Sequence, residues 1–207
     1  MKKRSWFSRR RLAINAVLVF GAVFFLRCNL FGPEPGDPVF PAQIDLGDSA
    51  AIRAILDSNN LNNISVRRAI DPFSSGRIKL LTLDSLNINS FSFTHALERL
   101  DSLISLSLSF NKISTIKVPD TLKFNHLISL NLGENVFTSF PIGILKLKGV
   151  INISVENNKI ATLPPEVIQS TASIYLDHNK LCSLTDSAVI NWLDTVYGNW
   201  QSRQDCP

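Results

Sequence analysis

The chain has little of what most enzyme chemistry requires. Its 207 residues include three histidines and three cysteines, and they contain no GxSxG, HExxH, P-loop or GxGxxG pattern. No two cysteines stand in CxxC spacing, so the usual thiolate metal site is not expected. His95 and His126 read as solvated surface residues. His178 stands beside Asp177, but adjacent residues on a strand point to opposite faces, and no nucleophile signature accompanies them. Glu134 and Glu156 could share a face, as many acidic pairs do, yet only a few such pairs are glycosidase sites. No catalysis, metal or cofactor is expected.

The first 27 residues hold no acidic residue. They carry Lys2, Lys3, Arg4, Arg9, Arg10, Arg11 and Arg27, and outside them the balance is 14 basic to 17 acidic residues. The overall charge of +4 is therefore a property of the terminus, and a nucleic-acid reading built on it is excluded. Within that terminus, Leu12 to Leu26 is an uncharged apolar run, shorter than the roughly 20 residues of a full membrane span and suited to a secretion signal. Low-complexity runs are also absent. Residues 29–43, "NLFGPEPGDPVFPAQ", have enough proline and glycine to read as an extended tether or an ordinary loop.

What is present is repetition. "LISLSLSFNKISTI" at 103–116 returns as "LISLNLGENVFTSF", "VINISVENNKIATL" and "TASIYLDHNKLCSL", and an earlier degenerate copy is "IKLLTLDSLNINSF". The marker positions 86, 111, 135, 158 and 179 are 25, 24, 23 and 21 residues apart. Alternation at Leu106 and Leu108 predicts a strand with one buried face in each copy. A sharp turn after each strand would bury backbone N–H and C=O groups. The amide of Asn111, Asn135, Asn158 or Asn179 both donates and accepts, so a column of them can serve those turns. Leu86 breaks the column, either because it lies at the edge or because water serves there. The competing reading is an ordinary turn asparagine at each place.

This pattern resembles the leucine-rich-repeat family, L-x-x-L-x-L-x-x-N-x-L-x-x-L, over residues 78–184. The resemblance implies an α/β solenoid: a short curved horseshoe with a parallel sheet on the concave face, an irregular or short helical convex side, and helical caps at both ends. It implies a concave binding face of Thr82, Ser107, Phe110, Asn131, Glu134, Ser154, Glu156, Tyr175, Asp177 and His178. Asp84, Ser109 and Asn157 belong to the same set. "DSAAIRAILDSNNL" at 48–61 predicts a capping helix started by Asp48 or Ser49, with Ala51, Ile52, Ile55 and Leu56 inward. The N-terminal cap is placed at 44–77 and the C-terminal cap at 185–207, where Asp186 or Thr185 starts a helix burying Val189, Trp192, Leu193 and Val196. The C-terminal segment resembles the cysteine-closed caps of bacterial leucine-rich-repeat proteins, which implies a Cys182–Cys206 disulfide.

"MKKRSWFSRRRLAINAVLVFGAVFFLRC" is similar to a bacterial lipoprotein signal, which implies a signal segment at 1–27, lipidation of Cys28 and a tether at 28–43. Arg27 stands where that family has a small residue, and an uncleaved anchor or cleavage elsewhere stays open. Each alternative exports the repeats to the cell envelope. The expected function is recognition of a protein or peptide through the concave face; the alternative is a structural or adhesion component of the envelope.

Overall fold

The computed structural model describes residues 44–70, 76–123 and 126–206. The signal segment, Cys28 and the whole of the proposed tether lie outside the described residues. The described chain opens with helix α1 (Leu46–Ser58). Seven three-residue strands follow: β1 (Leu80–Thr82), β2 (Ser90–Ser92), β3 (Ser105–Ser107), β4 (Thr115–Lys117), β5 (Ser129–Asn131), β6 (Asn152–Ser154) and β7 (Ser173–Tyr175). Helix α2 (Ser187–Tyr197) comes after them.

β1, β3, β5, β6 and β7 form a five-stranded parallel sheet in that order. The register stacks Leu81, Leu106, Leu130, Ile153 and Ile174 in one row, each at most 1% exposed. Successive side chains on a strand alternate in direction, so the residues on either side of each apolar centre project from the sheet. Short 3-10 turns at His95–Arg99, Ile142–Lys146 and Pro165–Gln169 return the chain on the far side. These short helical turns match the expected convex side, and β2 and β4 add a second parallel sheet there. Phe91 and Phe93 meet edge to face beneath it, with ring centroids 5.4 Å apart.

The caps differ from the sequence expectation in detail. Asp45, not Asp48 or Ser49, starts α1: its carboxylate accepts from the N–H groups of Gly47 at 2.8 Å and Asp48 at 3.1 Å. Asp48 is fully buried, pairs with Arg77 at 3.0 Å and accepts from the Ile78 N–H at 2.7 Å. A buried carboxylate needs such partners, and they tie the helix to the first coil. Asn59 completes the attachment, accepting from Ser92 N–H at 2.7 Å and donating to Ser92 C=O at 3.1 Å. At the other end, Asp186 caps α2 through Ala188 and Val189. Val189 and Leu193 are buried, but Val196 is 53% exposed, so the inward place assigned to it is taken by Tyr197. Trp200 is buried and its indole N–H donates to Asp194 at 2.8 Å. Cys182 and Cys206 are joined by a disulfide.

The Tyr197 hydroxyl accepts from Ile174 N–H at 3.1 Å and donates to Ile174 C=O. Burial pushes this phenol up to about 12, so it stays a donor. Those Ile174 groups point away from β6, so one side chain closes the outer edge of the sheet there. Among the described residues no helix is long and apolar enough to cross a membrane.

Candidate binding face

The four asparagines are buried between consecutive coils. Asn135 Nδ2 donates to Leu132 and Gly133 of its own coil and to Leu108 of the coil before, at 3.0–3.1 Å. Its Oδ1 accepts from the Ile113 N–H at 2.8 Å. Asn158 treats Leu132 and Phe137 the same way, and Asn179 treats Val155 and Ile160. Asn111 donates to Leu83 and accepts from Leu86 and Ile88. This is a leucine-rich-repeat fold.

Every rung of the leucine-rich-repeat column thus serves the turn of the preceding coil. Leu86 departs from the pattern without cost to its own turn, because Asn111 reaches back to it. The residue before each rung turns the chain. Ser85, Phe110, Glu134, Asn157 and His178 all have φ between 54° and 59°. Their N–H groups donate to Ser109, Gly133, Glu156, Asp177 and Arg203, at 2.7–3.2 Å. The last partner lies beyond the repeats. Gln204, next to it, donates from Nε2 to Leu176 C=O at 3.3 Å, the bond each asparagine makes to the coil before it. The C-terminal segment therefore works as a sixth, incomplete coil with a glutamine rung, and nothing in its sequence spacing marks it as one.

The residues expected to form the binding face separate into four groups. Phe110 and Tyr175 are 59% and 38% exposed, and Glu134 is exposed without an ion-pair partner among the described residues. Thr82, Asn131, Ser154 and Glu156 are half-buried. Asn131 accepts from Gly133 N–H at 2.9 Å, and Ser154 donates to Glu156 at 3.0 Å. Ser107 and Ser109 depart from the expectation: they are 8% and 4% exposed, and both bond Asp84 Oδ1. Asp177 and His178 are engaged by the C-terminal segment, Asp177 with Arg203 at 3.2 Å and His178 with Asp205 at 3.0 Å. Their availability to a partner is reduced for that reason.

Burial pushes the Glu156 carboxyl above its ordinary range, and nearby Asp177 adds to this. The Ser154 hydroxyl, His178 and Arg203 partly offset the shift. His178 is raised because its ring bonds Asp205. A raised folded value means that this contact stabilises below the ordinary histidine value of about 6.5 and is lost as pH rises through the folded value. The difference in thermal midpoint between native protein and His178→Ala should be larger at pH 5.5 than at pH 9. Equal differences at both pH values would remove the histidine from the account.

A second row escaped the sequence reading. Ile104, Ile128 and Ile151 stand one residue before β3, β5 and β6 and are 39%, 39% and 55% exposed. Ile128 N–H donates to Ile104 C=O and Ile151 N–H to Ile128 C=O, each at 2.8 Å, so the three are stacked in adjacent coils. The recurrence of isoleucine after the first apolar residue of the three middle copies was the available signal. Beside them, the side chains of Ser105, Ser129, Asn152 and Ser173 bond no other described residue. Among the described residues no group of three or more His, Cys, Asp or Glu is gathered for a metal ion.

No family model matches the chain. It is similar to bovine lumican, 32% identical over 136 residues, which is 64% of this chain and 37% of lumican. Rat osteomodulin is 30% identical over 131 residues, covering 61% of this chain and 29% of that protein. Bovine asporin is 29% identical over 145 residues, covering 68% and 36%. The chain spans only 29–37% of the length of these relatives. A solved leucine-rich-repeat protein of Leptospira interrogans is 24% identical with a TM-score of 0.36, covering 52% of this chain and 30% of that one.

Proposed function

We propose that this chain is a non-enzymatic binding module that recognises a protein or peptide through the exposed face of its main sheet. Phe110 carries the reading. It is a bulky aromatic, 59% exposed, held at φ 54°. Left-handed backbone costs an L-residue roughly 1–2 kcal/mol, and asparagine is the residue that tolerates it best. Asn157 occupies the equivalent place two coils on. An exposed phenyl ring there does nothing for the core, whereas aromatic rings bury large area in interfaces at low entropic cost. Tyr175 supplies a second anchor on β7.

Tyr175→Ala and Phe110→Ala should each weaken binding of a partner captured on the full chain by more than about 1 kcal/mol while leaving the thermal midpoint nearly unchanged. Charge reversal at Lys146 and Lys148 is the control. Lys146 lies on the opposite side and pairs there with Asp120. If the lysine changes abolish binding and the aromatic changes do not, the working surface is the outer one.

The same proposal places the module outside the cell, held to a bacterial membrane by lipidation of Cys28. The apolar run before Cys28 and the Cys182–Cys206 disulfide support export. Mature protein should begin at an acylated Cys28 and enter the detergent phase, and Cys28→Ala should prevent both. A Cys28→Ala protein that stays membrane-bound with residues 1–27 intact would replace the lipid with an uncleaved anchor.

A further inference from the structure

The binding-face proposal leaves the shape of the partner open, and the sheet constrains it. One edge of the main sheet is met by an antiparallel bridge from Ile70 to Leu81, and the other is closed at Ile174 by the Tyr197 hydroxyl. A partner cannot add a strand at those positions. It must meet side chains, and two rows of them face it. Ile104, Ile128 and Ile151 form one wall at the start of the strands. Glu134 and Glu156 form the other, past a floor of small residues such as Ser129. Ile151 and Glu156 flank β6 five residues apart, about 16 Å for extended chain. An α-helix with its side chains is about 10–12 Å across and fits between the walls.

Spacing separates a helix from an extended peptide. Neighbouring parallel strands are about 4.8 Å apart, so three isoleucines span about 9.6 Å. A helix crossing the strands places one residue per turn on the same face every 5.4 Å or so, about 10.8 Å over the same two steps. An extended chain places one about every 6.8 Å, about 13.6 Å over two steps, and runs out of register by most of a strand. The charge of the opposite wall selects the rest. Glu134 has no ion pair among the described residues, and Glu156 bonds only Ser154 through its side chain. Burial also holds the Glu156 carboxyl above its usual range, so a cation brought to it would favour the charged form.

We propose that the sheet face takes an amphipathic, basic α-helix of a partner protein, laid across the strands. Its aliphatic stripe packs on Ile104, Ile128 and Ile151, and its Lys or Arg flank meets Glu134 and Glu156. This rests on the binding-face reading and gives it a partner class. The probe is a displayed library of randomised 20-residue peptides selected against the detergent-solubilised full chain. Enriched sequences should carry aliphatic residues at helical spacing and a net positive charge. Binding of the best peptide should fall at least tenfold on Ile128→Ser, on Ile104→Ser and on the pair Glu134→Lys with Glu156→Lys, at unchanged thermal midpoints. A central proline in the peptide should abolish it. No enrichment, acidic or alternating sequences, or binding indifferent to both isoleucine changes and to proline would overturn the helix. If such a peptide is still lost on Phe110→Ala and Tyr175→Ala, the face stands without the helix. If only Lys146→Glu removes it, both fall.

Discussion

Asn135→Ala is expected to lower unfolding stability by about 2–3 kcal/mol, and Glu134→Ala, one residue earlier, by less than about 0.5 kcal/mol. The difference comes from which bonds have substitutes. Asn135 donates to three carbonyls, but each keeps another donor: Leu108 has Asn111, Leu132 has Asn158, and Gly133 has the Phe110 N–H. The Ile113 N–H has Asn135 Oδ1 alone, and it is buried. An orphaned buried donor costs about 1–3 kcal/mol, and the lost amide contacts add to that. Glu134 is exposed and contributes through its backbone, which alanine retains. Urea denaturation of the two variants measures the contrast. Coincident midpoints would mean that the asparagine column is decoration on a stack held by leucine packing.

Loss of the Cys182–Cys206 bond has the larger expected effect. The two residues are 24 apart in sequence. Closing a loop of that length contributes about 3.5 kcal/mol through the unfolded chain's entropy. Cys182→Ser with Cys206→Ser should therefore lower stability by about 3 kcal/mol, read from the urea midpoint under oxidising conditions. The double variant should also expose the last coil, because Arg203, Gln204 and Asp205 bond it from the released segment. Faster hydrogen exchange at the His178 amide than at the Glu134 amide would report that release. A double variant as stable as the native chain in the absence of reductant would show that packing of Trp200 holds the segment unaided.

The repeats were legible because periodicity is a redundant signal. Leu106, Leu130 and Ile153 announce one structural position several times over, so strand placement, buried face and fold class followed from spacing. The ends carry no such redundancy. Gln204 makes the donor bond of an asparagine from a position the repeat count does not reach, using one more methylene to arrive, while its buried Oε1 has no partner among the described residues. Tyr197 closes an edge through a contact 23 residues away in sequence, which no local pattern encodes. Asp45 and Asp48 are both plausible caps by composition, and only the burial of Asp48 against Arg77 separates them. On the face itself, exposure was readable for Phe110, Glu134 and Tyr175. The covering of Asp177 and His178 depends on where the chain returns after α2.

Because each asparagine reaches back to the coil before it, the array has a direction. A coil made on the ribosome cannot finish its own turn; it waits for the amide that emerges some twenty residues later. Growth from the N-terminus is thus a chain of deferred completions, each coil settling its predecessor. The two ends are not equivalent under truncation. Removing the first coil leaves Asn111 with spare hydrogen-bonding capacity, whereas removing the last leaves the turn of the coil before it without its acceptor for Ile160. An added coil would be tolerated best where it brings its own asparagine and inherits a served neighbour, and that place is just ahead of the segment ending in Gln204.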